Sequence, residues 1–285
     1  MSYRLDSALL QMMPTHFGAH CGPRQTPDGG RYINDPPQEQ TRYAVSFLSC
    51  TRQLNALLPE GFEAEGEPVV TVEMAMLRNI PWLAGRGYNI LGVRFPAAHR
   101  GKAGRTAGLF VPVLWENRAE PIITGREQLG FNKIFADIDD VAQDGDQARC
   151  RASWDGFEFV SMLLQGLVKA PEALVRAQLS TRPGEGLLHF KYIPATGGGW
   201  TGADAAYATL SPWDWRGDAD NTPDDPPPEV WIGGGEVTFH RALWEQMPTQ
   251  HRIVNALADL DIVEPRGATM MRLFDRNDHR AQVRL

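Results

Sequence analysis

The sequence is poor in cysteine, in lysine and in long apolar runs, and each shortage excludes a class of protein. Its three cysteines, Cys21, Cys50 and Cys150, are far apart and form no CxxC pair. We therefore expect reduced thiols rather than a disulfide framework or a zinc site. No run approaches the roughly 18 apolar residues of a membrane helix. The first residues lack the basic and apolar regions of a signal peptide, so we expect a cytosolic protein without a membrane partner.

Positive charge is also scarce. The formal net charge is −7 and the pI is near 5.5, with scattered basic residues that are almost all arginine. This argues against nucleic-acid binding, because neutralising phosphates requires clustered lysine and arginine. The only lysines are Lys102, Lys133, Lys169 and Lys191. Only these four residues are therefore candidates for a lysine nucleophile.

Strand signals outnumber helix signals along the chain. Short segments rich in β-branched or aromatic residues predict strands at 69–77, 88–95, 109–115, 134–138, 148–154, 157–163, 187–193 and 236–240. Apolar spacing predicts helices at 7–12, 50–58, 171–179 and 250–260. Because the two kinds do not alternate, we expect a mainly β fold with a few helices, built as a closed or cone-like antiparallel β-barrel. We expect one domain over 1–285, with an irregular arm at 1–40 and an acidic, proline-rich surface loop at 217–230.

Two motifs with possible ligand chemistry are weak. Gly197, Gly199 and Gly202 match the dinucleotide pattern GxGxxG, but no crossover helix follows, which favours a simple loop. His16, His20 and Cys21 have ligand-like spacing in an arm without convincing further ligands. The sequence therefore predicts neither a metal site nor an organic cofactor.

Lys133 is the most distinctive candidate. It lies among Phe131, Ile134 and Phe135, although ammonium groups usually avoid apolar surroundings. Burial would lower its pKa and supply the free amine that attacks a carbonyl substrate. The alternative is a lysine that extends from a strand edge into solvent. The local context alone leaves both open.

The residues around Lys133 resemble a known family. The segment from Trp115 to Pro121, followed by Gly125-Arg126-Glu127 and a lysine six residues after that glutamate, is similar to acetoacetate decarboxylases and their relatives. Weaker similarities at 57–60, 72–76, 88–92, 191–194 and 237–240 extend the resemblance over roughly residues 42 to 260. The resemblance implies that Lys133 forms an imine with the substrate, and that the protein is a homo-oligomer.

The sequence also departs from the decarboxylases at three places. Their glutamate two residues after the tyrosine of the Tyr88 strand is Ile90 here. Their arginine near the first core strand falls on Gln40, with Arg42 one strand repeat away on the same face. Their second lysine is Ile134. These differences favour aldolase–dehydratase chemistry on a small oxo-acid or ketone over decarboxylation of acetoacetate.

The predicted site combines these residues. Lys133 is the nucleophile; the other members are Glu73 and Tyr88 for proton transfer, Arg42 or Gln40 for a carboxylate, Ile90 and Phe131 for the substrate, and Arg126 and Glu127 to order the lysine turn. Structural alternatives stay open: Glu73 facing solvent, Tyr88 only packing, and Arg126 with Glu127 as an ion pair. Two other functions also stay open, namely acetoacetate decarboxylation with rearranged acids and non-catalytic binding of a small molecule on the same scaffold.

Overall fold

The computed structural model describes residues 4–5, 11–15, 26, 36–102, 104–175, 183–197, 199, 201–213, 226–276 and 281–285. Several predictions fall outside these residues. They are the motif of His16, His20 and Cys21, most of the predicted helix at 7–12, and most of the loop at 217–230. Of the predicted helix at 171–179, residues 171–175 are described and 172–175 are helical.

One sheet of fifteen strands dominates the described part of the chain. Its strands are β1 Gln38–Leu48, β2 Phe62–Ala64, β3 Val69–Ile80, β4 Arg86–Gly101, β5 Gly104–Glu116, β6 Lys133–Phe135, β7 Asp137–Ile138, β8 Ala142–Asp144, β9 Gln147–Trp154, β10 Phe157–Lys169, β11 Gly186–Pro194, β12 Ala203–Pro212, β13 Glu229–Phe239, β14 Glu264–Asp275 and β15 Val283–Arg284. The mainly β prediction is confirmed, and every predicted strand segment is wholly or mostly strand.

Helical structure is sparse. Besides the helical residues 172–175, the described part of the chain contains α1 Thr51–Asn55, α2 Ala119–Thr124 and α3 His251–Ala258, with a 3-10 turn at Pro81–Leu83 and a π-helical turn at Gly125–Leu129. The predictions at 50–58 and 250–260 correspond to α1 and α3. The loop at Gly197 to Gly202 leads into strand β12, rather than the crossover helix of a dinucleotide fold. No helix in the described residues is long and apolar enough to cross a membrane.

The structure differs from the expected closed or cone-like antiparallel barrel in two respects. The strand order is β15-β12-β11-β5-β4-β3-β1-β14-β13-β10-β9-β7, and no hydrogen-bonded ladder closes it within the described residues. Two pairs are parallel, β5 with β11 and β5 with β6. The chain runs from β6, which pairs with β5, through Ala136 into β7, which pairs with β9. Ala136 therefore links β7, which is one end of the strand order, to the short strand β6 beside the interior strand β5.

The main core lies on one face of this sheet. Trp115 on β5 is fully buried and packs against Phe159 on β10, with ring centroids 5.1 Å apart. Trp115 also donates a hydrogen bond from Nε1 to Gln250 Oε1 at 2.7 Å. Because side chains alternate along a strand, the neighbours of the core residues point to the opposite face. That opposite face of β1, β3, β4 and β5 carries the candidate site.

Candidate active site

Strand register places most of the predicted site residues on one face. Arg42 on β1 pairs with Ala75 on β3, Ala75 with Ile90 on β4, and Ile90 with Glu116 on β5. A second row, beside the first and on the same face, runs from Glu73 on β3 through Gly92 and Leu114 to Lys133 on β6. Each row crosses three strand spacings, so its end residues have Cα atoms about 14 Å apart.

The turn before β6 positions Lys133. The π-helical turn ends at Gly130, whose φ of 83° lies in the left-handed region that favours glycine. Phe131 N–H then donates to Gly125 O at 2.9 Å. The Arg126 guanidinium donates from Nη1 to Lys133 O at 2.8 Å. Glu127 contributes its backbone oxygen, which accepts a hydrogen bond from Lys191 Nζ at 2.5 Å.

Gly125 leaves space for the lysine side chain. A Cβ atom at this position would lie 2.4 Å from Lys133 Cδ and 2.9 Å from Nζ. Gly125 has an ordinary helical φ of −60°, so its backbone conformation does not require glycine. The close approach of the lysine is therefore the reason that a side chain is excluded here.

Lys133 is buried and paired with an acid that the sequence did not predict as its partner. Its side chain is 8% exposed, and Nζ lies 2.8 Å from Oε1 of Glu116, which is fully buried. Nζ also donates to Pro121 O at 3.2 Å and lies 5.2 Å from the centroid of the Phe131 ring. A lysine extending into solvent is excluded by this geometry. Burial raises the pKa of Glu116, although the Lys133 charge opposes that shift.

Glu73 and Arg42 are engaged with other groups. Glu73 is 17% exposed and forms an ion pair with Arg94 at 2.9 Å. Burial alone would raise the pKa of Glu73, but the charges of Arg94 and Arg42 hold it at about 2. Arg42 donates to Gln40 Oε1 from Nε at 2.9 Å and from Nη2 at 2.6 Å. Gln40 in turn donates from Nε2 to Asp275 Oδ2 at 2.7 Å.

Ile90 belongs to the row that ends at Glu116, and Tyr88 lies two residues before it on the same face of β4. Tyr88 is 9% exposed and packs in a small apolar cluster with Ala75, Leu77 and Ile80, against which Ile90 also packs. Burial raises the pKa of Tyr88 well above its usual range, and the charges of Glu116 and Asp275 raise it further. Tyr88 therefore stays protonated near neutral pH.

His189 is a second residue that the sequence did not single out. It is 2% exposed, and its ring packs on Phe131 with centroids 4.5 Å apart. Burial and the nearby Lys133 charge lower the pKa of His189 to about 3. Its position inside the apolar segment 187–190 was the available signal. Glu116 gave a weaker signal, because an acid at the end of a strand is usually solvated.

A groove of about 420 Å³ lies beside this site rather than in it. Phe131, Asn132 and Ile134 line the groove together with residues 56–59, which follow α1, and residues of β11, but Lys133 does not. The groove therefore does not by itself identify the reactive centre. Phe131 contacts both regions, because its ring also lies next to the Lys133 amine and His189.

The assembled site offers an amine, an acid and an uncharged imidazole in an apolar setting. Glu116 and Lys133 form a buried pair that can exchange a proton over 2.8 Å without changing its net charge. The described residues contain no group of three or more His, Cys, Asp or Glu side chains placed to hold a metal ion. The arrangement suits nucleophilic attack of an amine on a carbonyl carbon with local proton transfer.

Comparison with solved structures identifies the fold. An acetoacetate decarboxylase-like enzyme from Sphingomonas wittichii RW1 is 16% identical, with a TM-score of 0.62 over 87% of this chain and 91% of that one. An acetoacetate decarboxylase is 14% identical, with a TM-score of 0.61 over 92% and 94%. The enduracididine biosynthesis enzyme MppR, in complex with the condensation product of pyruvate and imidazole 4-carboxaldehyde, is 15% identical, with a TM-score of 0.55 over 84% and 86%.

Sequence comparison identifies the family. No curated protein matches the chain significantly. The family model described as "Acetoacetate decarboxylase (ADC)" matches residues 21–273, which is most of the chain. This range contains Lys133, its turn and the strands that carry the site. The chain therefore belongs to the acetoacetate decarboxylase family.

Proposed function

We propose that this protein is a Schiff-base-forming lyase that acts on a small oxo-acid or ketone through Lys133, with chemistry of the aldolase–dehydratase kind. One observation carries the proposal: the Lys133 amine is buried and lies 2.8 Å from the fully buried Glu116 carboxylate. Burying two charges is costly, and an apolar pair of similar size often stabilises a protein equally well. A pair of this kind, in the position that the family resemblance gives to the nucleophile, supports a catalytic role.

Proton transfer within this pair prepares the nucleophile. Glu116 takes a proton from the Lys133 ammonium, which gives a free amine and a carboxylic acid. The amine attacks the carbonyl carbon; a C–N bond forms, and the carbonyl oxygen receives the proton that the nitrogen loses. Glu116 then protonates the resulting hydroxyl group, water leaves, and a protonated imine remains beside the Glu116 carboxylate. The raised pKa of Glu116 supports its role as a proton carrier.

Two other predicted residues, Glu73 and Arg42, have supporting roles in the proposal. With a pKa of about 2, Glu73 stays ionised beside Arg94 and is a poor proton donor. Its role in the proposal is to hold Arg94 and the nearby Arg42 on the site face. Arg42 remains the predicted ligand for a substrate carboxylate. To bind one, its guanidinium would exchange the Gln40 oxygen for a carboxylate oxygen.

The choice between lyase reactions rests on the acids. The resemblance places a glutamate of the decarboxylases at Ile90, which cannot transfer a proton. MppR, which shares the fold, has been crystallised with a condensation product of pyruvate. These two points favour carbon–carbon bond formation or cleavage followed by loss of water. Decarboxylation of acetoacetate is the second candidate, supported by the family match over residues 21–273.

Borohydride trapping tests the proposal directly. The protein would be incubated with pyruvate, acetone or acetoacetate, reduced, digested and mapped by mass spectrometry. We expect a substrate-dependent adduct on Lys133 that is absent from Lys133→Met and unchanged in Lys169→Met, the matched change at an exposed lysine. An unmodified Lys133 with all three ketones would contradict the proposal and favour the binding-protein alternative.

Two product assays separate the lyase reactions. Incubation with pyruvate and imidazole 4-carboxaldehyde should consume the aldehyde and form a dehydrated condensation product. Incubation with acetoacetate should release no carbon dioxide above the Lys133→Met background. Rapid carbon dioxide release without aldehyde consumption would instead establish the decarboxylase.

A further inference from the structure

His189 lies at the site without a hydrogen-bond partner. Among the described residues, neither of its ring nitrogens has one, and the side chain is 2% exposed. Buried polar groups in proteins are nearly always hydrogen-bonded, so an orphaned imidazole calls for an explanation. If His189 only filled space, an apolar residue of similar size would do so at a lower free-energy cost, because it has no polar atoms to remove from water.

The neighbours of His189 direct their polar atoms elsewhere. Thr209 lies opposite it on β12 and is buried, but its hydroxyl donates to Gly130 O at 3.4 Å. The Lys133 ammonium is held by Glu116 and Pro121 O. Lys191, two residues along the same strand, donates to Glu127 O. None of these neighbours therefore bonds to the ring nitrogens of His189.

Strand alternation aims His189 at the site rather than into the main core. Its neighbour Leu188 belongs to the main core and is fully buried. Phe190, on the other side, packs near Phe62 at a centroid distance of 6.4 Å. His189 points to the opposite face and contacts the Phe131 ring at 4.5 Å, the same ring that lies 5.2 Å from Lys133 Nζ. The amine and the imidazole thus share one aromatic neighbour.

We propose that His189 is a catalytic residue that donates a hydrogen bond from its ring N–H to the carbonyl oxygen of the substrate while Lys133 attacks the carbonyl carbon. This inference rests on the proposed function. As the C–N bond forms, the electron pair of the carbonyl group moves onto the oxygen, and a fixed donor stabilises that charge. The imidazole keeps its proton, and Glu116 supplies the proton that the oxygen finally takes. An uncharged imidazole is suited to polarising a carbonyl group in this way, and the low pKa of His189 keeps it uncharged near neutral pH.

The proposal also describes the substrate. The group beside the amine would be a single carbonyl oxygen that accepts one hydrogen bond, and the surrounding surface is the apolar ring of Phe131. Ketones and 2-oxo-acids both satisfy this requirement, because the His189 N–H would bond to the ketone oxygen and not to a carboxylate. Substitution of His189 should therefore slow imine formation with acetone and with pyruvate by a similar factor.

The test measures the rate at which Lys133 is trapped by borohydride at saturating pyruvate or acetone. His189→Phe keeps an aromatic ring on Phe131 but removes the donor, and we expect about 10²-fold slower trapping. His189→Gln offers an amide N–H, so Lys133 should be trapped at least about tenfold faster in this variant than in His189→Phe. His99→Leu changes a partly buried histidine that packs on Phe62, outside the site, and serves as the matched control. The pyruvate concentration for half-maximal trapping should change much less than the maximal rate.

Several outcomes would overturn the inference. They are trapping by His189→Phe within about threefold of the unmodified protein, a Gln variant as slow as the Phe variant, or a loss with pyruvate alone. If His189→Phe does not fold, His189→Leu provides the same comparison. These results differ from a failure of the proposed function, in which Lys133 of the unmodified protein would not be trapped at all.

Discussion

The buried pair of Lys133 and Glu116 makes a prediction about stability that does not depend on the substrate. At 2.8 Å and an effective dielectric constant of 20, the gross attraction between the charges is about 6 kcal/mol. Removing two charges from water costs several kcal/mol for each ion, so the net contribution of the pair is near zero. If one partner is removed, the other charge stays buried and no attraction offsets the cost of taking it out of water. Each single variant, Lys133→Met or Glu116→Leu, should therefore lose about 3–5 kcal/mol of unfolding free energy.

The double variant distinguishes this reasoning from ordinary loss of packing. Met and Leu together replace the pair with apolar groups of similar volume, so the double variant should match or exceed the stability of the unmodified protein. Urea unfolding of the four proteins gives the coupling free energy, provided that the m-value stays constant. The control is the pair Lys169 and Glu229, whose atoms are 2.6 Å apart but whose side chains are 63% and 43% exposed. Its coupling should be far smaller, because exposed pairs are screened by solvent.

The pH dependence of Lys133→Met provides a second readout of the same cycle. Burial raises the pKa of Glu116, and the Lys133 charge that opposes this shift is absent from the variant. A carboxyl group whose pKa is higher in the folded state binds protons more tightly there. Its contribution is fully present below the unfolded pKa near 4.5 and is lost as the pH rises through the folded pKa. Additive single-variant losses, or a Lys133→Met variant that is equally destabilised at pH 4.5 and pH 8, would refute the buried-pair argument.

Three further predictions follow from neighbouring residues. Glu73→Gln should destabilise the protein by about 1–3 kcal/mol at pH 7 by leaving Arg94 unpaired, and the difference in urea unfolding should shrink between pH 4.5 and 2, because the folded pKa of Glu73 is about 2. Gly125→Ala should keep the fold but slow borohydride trapping of Lys133 by about 10²-fold, since a Cβ atom there would displace the amine; normal trapping would show that the lysine adjusts at little cost. The pKa of His189 is about 3 in the folded protein, so unfolding should become easier as the pH falls below 6.5. His189→Phe should remove about 2 kcal/mol of the stability difference between pH 7 and pH 5, and an unchanged difference would contradict the buried imidazole.

Local sequence patterns predicted the strands well, because the β-branched and aromatic residues that favour a strand lie within the strand itself. The segments at 69–77 and 88–95 became the centres of β3 and β4. Strand β14, Glu264–Asp275, was missed because Pro265, Gly267 and two arginines interrupt its apolar pattern. Whether a hydrogen-bonded ladder closes the sheet was also beyond the sequence, because it depends on which distant strands β6 and β7 pair with. The parallel pairing of β5 with β6 leaves no local signature.

The site shows the same division between local and non-local information. Lys133 was predicted because its apolar flanks and its turn lie within ten residues of it. Glu116 lies seventeen positions earlier, and only the parallel register of β5 and β6 brings it to the amine. His189 reaches Phe131 across a second parallel contact, between β5 and β11. Both missed residues were thus contributed by strands whose partners the sequence did not specify.

Glu116 also lies next to the position at which the resemblance implies the most conspicuous departure from the decarboxylases. The resemblance gives Ile90 the place of their glutamate, and Ile90 pairs directly with Glu116 on the adjacent strand. Opposed residues on one face of a sheet have Cβ atoms about 5 Å apart, so an acid on either strand can reach the same volume. Glu116 on β5 can therefore reach the volume that an acid at position 90 of β4 would reach, without moving the backbone. Glu116 comes from the strand that pairs with β6 and contacts the amine itself. In the proposed mechanism this position suits an acid that carries the proton of Lys133.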